Sequence, residues 1–185
     1  MKIDCEYKII ISPIGNIDAE IIGSVEKGIA GIFGFQTIIL PLIEDISFAL
    51  DSGRNQHNST SILGKLESCT PEYALKVLAI TNVDLFIPIL THVYGEAQLG
   101  GRTCIVSTYR LKDFTSTMRA TISLSARMVK EAIHELGHTF NLLHCKDHSC
   151  IMHYCRTEND VDRKSDQLCR YCKILLEDGI KKLSS

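Results

Sequence analysis

The chain reads as an α/β protein, with strands alternating with helices and joined by right-handed crossovers. Three observations predict this. Short, apolar, β-branched runs alternate with stretches of helical periodicity. Pro and Gly punctuate the joins. The 185 residues contain no repeat, low-complexity tract or linker. That length suits one domain, 1–185, with a sizeable core.

Tyr7 to Ile11, closed by Ser12-Pro13, reads as a buried strand. Ile17, Ile21, Val25, Ile29 and Ile32 then recur at helical spacing, with Asp18, Glu20, Glu26 and Lys27 on other faces, which predicts an amphipathic helix. Gln36 to Leu40 reads as a second strand, ended by Pro41. Residues 51–60 are polar and read as a loop, with His57 solvated. Thr70-Pro71-Glu72 reads as a helix start, a capping hydroxyl followed by Pro at the first helical position, with the helix running to about Ile80. Val83 to Pro88 reads as the third strand. Val93 to Ala97 and Arg102 to Thr108 flank Gly100-Gly101 and suggest two paired strands. Ile122, Ala126, Val129, Ile133 and Leu136 form the stripe of a long helix. Leu168, Tyr171, Leu175 and Ile180 predict a final helix capped by Ser165. Cys5, Cys69 and Cys104 read as small core residues.

Hydrophobic residues make up 45% and charged residues 23%, with a net charge of −2. Without a basic block, neither nucleic acid nor an anionic membrane is an expected partner. Acidic residues near the N-terminus argue against a signal peptide, and no apolar run is long enough to span a bilayer. A cytoplasmic protein is expected, with reduced thiols. No propeptide is expected, since the first residues already read as a core strand, and a monomer is expected.

The chemistry concentrates in His134-Glu135-Leu136-Gly137-His138 and His144. At 3.6 residues per turn, His134 and His138 stack on one helix face. Neutral imidazole is a good zinc ligand. Glu135 sits a quarter-turn away, placed to take a proton from metal-activated water. The helix must end before His144 can turn back to the metal. In the metzincin pattern a Gly three residues after the second His makes that turn. Here Asn141 stands instead, the next most tolerant residue at positive φ. Iron or cobalt could also occupy three imidazoles.

Cys145, Cys150, Met152, Cys169 and Cys172 follow, in the pattern C-x4-C-x-M-x16-C-x-x-C. Two cysteine pairs at this spacing read as a tetrahedral four-cysteine zinc site within residues 145–185. Redox-active or disulfide-paired thiols are the alternative.

On these residues the chain resembles the archaemetzincin family, as it does in Asp84-Leu85-Phe86-Ile87 and from Val93-Tyr94-Gly95-Glu96-Ala97 through Ser107-Thr108-Tyr109-Arg110-Leu111. The likeness covers most of the chain from about Val83. The Met152–Cys169 spacer is one residue shorter than the family's. The resemblance implies a metzincin-like catalytic domain, a mostly parallel twisted sheet with one antiparallel edge strand, about Val93 to Ala97, that could pair with an extended peptide. It implies two zinc ions, one catalytic on His134, His138 and His144, one structural on Cys145, Cys150, Cys169 and Cys172. Cys155 could replace Cys150 in that group, although the family spacing favours Cys150. Met152 is implied to lie beneath the histidines without binding the metal. Met152-His153-Tyr154 also looks like the astacin form of this turn, which makes Tyr154 a candidate zinc-proximal phenol. His148 and His153 are expected at the surface or behind the ligands.

The expected activity is a zinc metallopeptidase that hydrolyses peptide bonds with zinc-activated water and Glu135 as general base. A catalytically silent zinc protein that binds extended peptides is the alternative. A metal-dependent hydrolase of a non-peptide amide is a third. The loops at 51–60 and 111–120 hold no residue diagnostic of specificity.

Overall fold

A computed structural model of the protein describes residues 7–112 and 123–183. Cys5 and Ile122 lie outside these residues, as does most of the 111–120 loop.

Five strands form the main sheet, in the order β2-β1-β5-β8-β7. They are β1 (Lys8–Pro13), β2 (Gln36–Ile39), β5 (Ala74–Thr81), β7 (Gly95–Ala97) and β8 (Thr103–Ser107). β1 is parallel to β2 and β5, and β5 is parallel to β8. β7 alone runs antiparallel, with Gly95 opposite Val106 and Ala97 opposite Cys104. The mixed sheet with an antiparallel edge therefore matches the expectation. A smaller sheet joins β3 (Leu50–Asp51), β4 (Gln56–Asn58) and β6 (Leu85–Phe86).

Alternation along the central strands sorts the core into two faces. Ile9 and Ile11 of β1, Leu78 and Ile80 of β5 and Val106 of β8 point to one face. There they meet α1 (Ala19–Phe33) and α3 (Leu124–Thr139). Ile10, Val77, Ala79 and Ile105 point to the other, against Ile62 and Leu66 of α2 (Ser59–Cys69). Ile9, Ile10 and Ile11 are fully buried, each worth roughly 1.5–3 kcal/mol.

α1 follows the predicted stripe, burying Ile21, Val25, Ile29 and Phe33. Asp18 caps its start and Gly34, at φ 73°, closes it in the left-handed region. α1 approaches α3 closely because Gly28 has no side chain. A β-carbon there would lie 2.8 Å from Cγ1 of Val129.

Thr70-Pro71 does not open a helix. It follows α2, whose C-terminus Thr70 closes by donating from Oγ1 to the Leu66 carbonyl. Residues 74–81 are the central strand β5, buried along its whole length. A strand covered on both faces loses the alternation that distinguishes it from a helix.

The polar stretch 51–60 holds β3, β4 and the start of α2 rather than a loop. His57 pairs with Leu85 across β4 and β6. Its Nδ1 is buried without a partner among the described residues, and burial lowers its pKa, so the side chain is half-buried rather than fully solvated. The strand expected over Val83 to Pro88 shrinks to Leu85–Phe86, because Asp84 turns to Gln56 and Arg110.

After α3 come a short helix, α4 (Glu158–Arg163), and the final helix, α5 (Arg170–Leu183). α5 buries Cys172 and Leu176, while Tyr171 and Leu175 face outward. Leu168 and Ile180 of the predicted stripe do pack on the core, while its middle is one residue out of phase, since docking of Cys172 fixes the helix face. Ser165 bonds the Gln167 amide ahead of the helix and does not cap it. Cys104 is buried in β8, while Cys69 is only half-buried.

Candidate metal centres

His134, Glu135 and His138 project from the last turns of α3, and the chain then reverses. Phe140 caps the helix, and Asn141 takes φ 66°. Its amide donates to the His138 carbonyl at 2.9 Å, and the Leu142 amide to Gly137 at 3.0 Å. These two bonds define a Schellman ending with Asn in the left-handed position, so the turn expected at Asn141 forms. It returns His144 to the helix, with its ring centroid 5.3 Å from that of His134 and 4.8 Å from that of His138.

Two carbonyls orient the helix imidazoles. Nδ1 of His134 lies 2.9 Å from the Ile151 carbonyl, and Nδ1 of His138 lies 2.7 Å from that of Leu142. A carbonyl can only accept, so each Nδ1 carries the proton and each Nε2 presents its lone pair. The two Nε2 atoms are 3.1 Å apart. Nitrogens sharing a tetrahedral zinc at about 2.0–2.1 Å lie roughly 3.3 Å apart. One ligating atom from each of the three histidines lies within 4.8 Å of the others. Burial also lowers the pKa of all three, favouring the neutral form that binds metal. Donor chemistry and spacing both fit zinc.

The three imidazoles and Glu135 line one cavity of about 340 Å³, together with Tyr94, Gly95, Glu131, Tyr154 and Arg156. Burial raises the Glu135 pKa well above the ordinary carboxylate range, and Glu131, one turn earlier, adds to the rise. The positive charge of Lys164, itself paired to Glu131 at 2.7 Å, opposes it. A bidentate pair from Arg127 to Asp162, at 2.7 and 2.6 Å, anchors the segment carrying Lys164 to α3.

Tyr154 borders the same cavity, its ring centroid 5.1 Å from that of His144. Met152 is fully buried, and its Sδ would lie 2.5 Å from a β-carbon at Gly137. It therefore packs on the bare backbone of α3 between the two helix histidines.

Cys145, Cys150, Cys169 and Cys172 form the second group, with Sγ atoms within 4.8 Å of one another. All four are free thiols. Sγ of Cys145 and Cys169 are 3.8 Å apart, the separation of about 3.8 Å that four Zn–S bonds of about 2.3 Å give in a tetrahedron. The Cys169 amide donates to Sγ of Cys150 at 3.3 Å. Cys155 stands outside the group, its thiol directed to the His153 carbonyl.

Sequence reasoning did not find the part of Gly95, Glu131, Arg156 or Lys164. Glu131 alone left a signal, four residues before Glu135 on one helix face.

Comparison with known proteins agrees with this fold. Residues 7–178 match the model of Peptidase family M54. The archaemetzincin of Methanocaldococcus jannaschii is 36% identical over 172 residues, 92% of this chain and 93% of its own. The crystal structure of the Methanopyrus kandleri archaemetzincin aligns with a TM-score of 0.81 at 31% identity, covering 96% of this chain and 97% of that one. The Archaeoglobus fulgidus archaemetzincin, solved in complex with malonate, aligns with a TM-score of 0.76 at 31% identity, over 91% of this chain and 99% of that one. The class is zinc metallopeptidase. Within that class the chain belongs to peptidase family M54, the archaemetzincins.

Proposed function

We propose that the chain acts as a single catalytic unit over 1–185 that hydrolyses peptide bonds at a zinc ion held by His134, His138 and His144, with Glu135 as general base. The observation that carries this reading is the convergence of three neutral imidazoles on one point in a cavity that Glu135 also lines. Zinc bound there supplies Lewis-acid activation of water and of the scissile carbonyl.

Glu135 takes a proton from the attacking water as its oxygen adds to the carbonyl carbon. It then delivers that proton to the departing amine nitrogen as the C–N bond breaks. Its burial matches this work, because burial that raises a carboxyl pKa makes the group a better proton acceptor. β7, at the sheet edge beside Glu135, offers backbone groups to an extended substrate. Tyr154, whose ring lies against that of His144, is the candidate to approach the zinc from that side. Cys145, Cys150, Cys169 and Cys172 hold a second, structural zinc that fastens α5 to the loop leaving the active site.

Glu135→Ala tests the assignment with a panel of quenched peptides. The variant is expected to keep its zinc and lose turnover. Undiminished cleavage removes Glu135 as the base. A zinc-loaded wild-type protein that binds the peptides without cutting them favours the silent binder.

A further inference from the structure

We propose that His148 and His153 form a third metal site, on the surface of the loop beside the cysteine group, which takes a zinc-like divalent cation that prefers imidazole. Nδ1 of His148 lies 3.0 Å from Nε2 of His153, and the ring centroids are 4.4 Å apart. Two nitrogens on one tetrahedral zinc sit roughly 3.3 Å apart, so a small outward shift of the exposed His148 ring admits the ion.

The lone pairs are set for it. Nδ1 of His153 is 2.9 Å from the Cys145 carbonyl and must donate to it, which leaves Nε2 as a bare lone pair. The same device, Nδ1 to a backbone carbonyl, orients His134 and His138. In the metal-free pair a proton on Nδ1 of His148 fills the gap. On binding, the cation takes both lone pairs and that proton moves through solvent to Nε2 of His148.

The backbone on both sides is fixed. The Cys150 amide donates to the Asp147 carbonyl at 3.1 Å, forming the turn that holds His148. His153 is bridged to Cys145 in parallel register, and its amide donates to the Cys150 carbonyl at 2.9 Å. Asp147 steadies the same turn, its Oδ1 accepting from the Ser149 amide and hydroxyl at 2.9 and 2.8 Å. Neither histidine belongs to the three-histidine or four-cysteine group.

With two protein nitrogens and an exposed face, affinity far weaker than that of a closed structural site is expected. A bound ion would staple the turn at 147–150 to His153, the neighbour of Tyr154.

The test is a metal count per chain after dialysis of the intact protein against buffered micromolar zinc, for wild type, His148→Ala and His148→Asn. Both variants are expected to hold up to one equivalent fewer than wild type, with affinity for that equivalent weakened more than about tenfold and the thermal stability of the metal-free protein unchanged. Because the readout is a difference, it stands whatever the occupancy of the other two groups. Equal counts in wild type and either variant overturn the proposal.

Discussion

Gly95 of β7 and Glu135 of α3 pack so closely that a β-carbon at residue 95 would lie 2.7 Å from Cγ of Glu135 and 2.5 Å from the Ile105 carbonyl oxygen. The edge strand and the carboxylate proposed as base are thus in direct contact, and only glycine permits it. Gly95→Ala must push Glu135 or the strand aside. Displacement of a reacting group by about 1 Å can cost roughly 100-fold in rate. The variant is expected to lose about that much kcat while retaining its zinc, measured by peptide cleavage and metal content together. Wild-type kcat in Gly95→Ala would show that the contact has no part in placing the base.

Asn141 holds the turn that brings His144 back, at φ 66°. Asn141→Val places a β-branched side chain in the left-handed region and is expected to cost at least about 1–2 kcal/mol. It should also weaken retention of the zinc on the histidines. Asn141→Gly is expected to retain both fold and metal, because glycine meets no penalty there. Denaturant midpoints and zinc competition on the two variants check this. Equal behaviour of Val and Gly contradicts it.

Lys164 and Glu131 form a buried pair behind the Glu135 carboxylate, with side-chain exposures of 0% and 5%. Lys164→Met leaves Glu131 buried and unpaired, which is expected to cost about 3–5 kcal/mol. Replacing both, as Lys164→Met with Glu131→Leu, should recover much of that loss, since no lone buried charge remains. Equilibrium unfolding of the single and double variants decides it. A double variant no more stable than the single one counts against the pair.

The chemistry was more legible in the sequence than the fold. His134, Glu135 and His138 announce themselves by helical spacing, and the Asn141 turn follows from local backbone preference. The cysteine pairs carry their own chelate spacing. These are short-range properties, so they survive without knowledge of the tertiary structure. β5 was misread because Ala74 to Thr81 is buried on both faces, and its Lys76 is held by the Gly101 and Thr139 carbonyls, which only tertiary contacts supply. α2 was missed because its apolar face is short and Thr70-Pro71 imitates a helix start. Lys164 lies thirty-three positions beyond Glu131, and nothing local in the sequence signals that they meet.

The most direct measurement is anomalous scattering at the zinc edge from crystals of the protein purified without added zinc. Two sites are predicted, one coordinated by Nε2 of His134 and His138 together with the His144 imidazole, the other by four cysteine sulfurs, with the Glu135 carboxylate beside the first and not bound to it. A zinc that lacks His144, or that Glu135 ligates directly, contradicts the account.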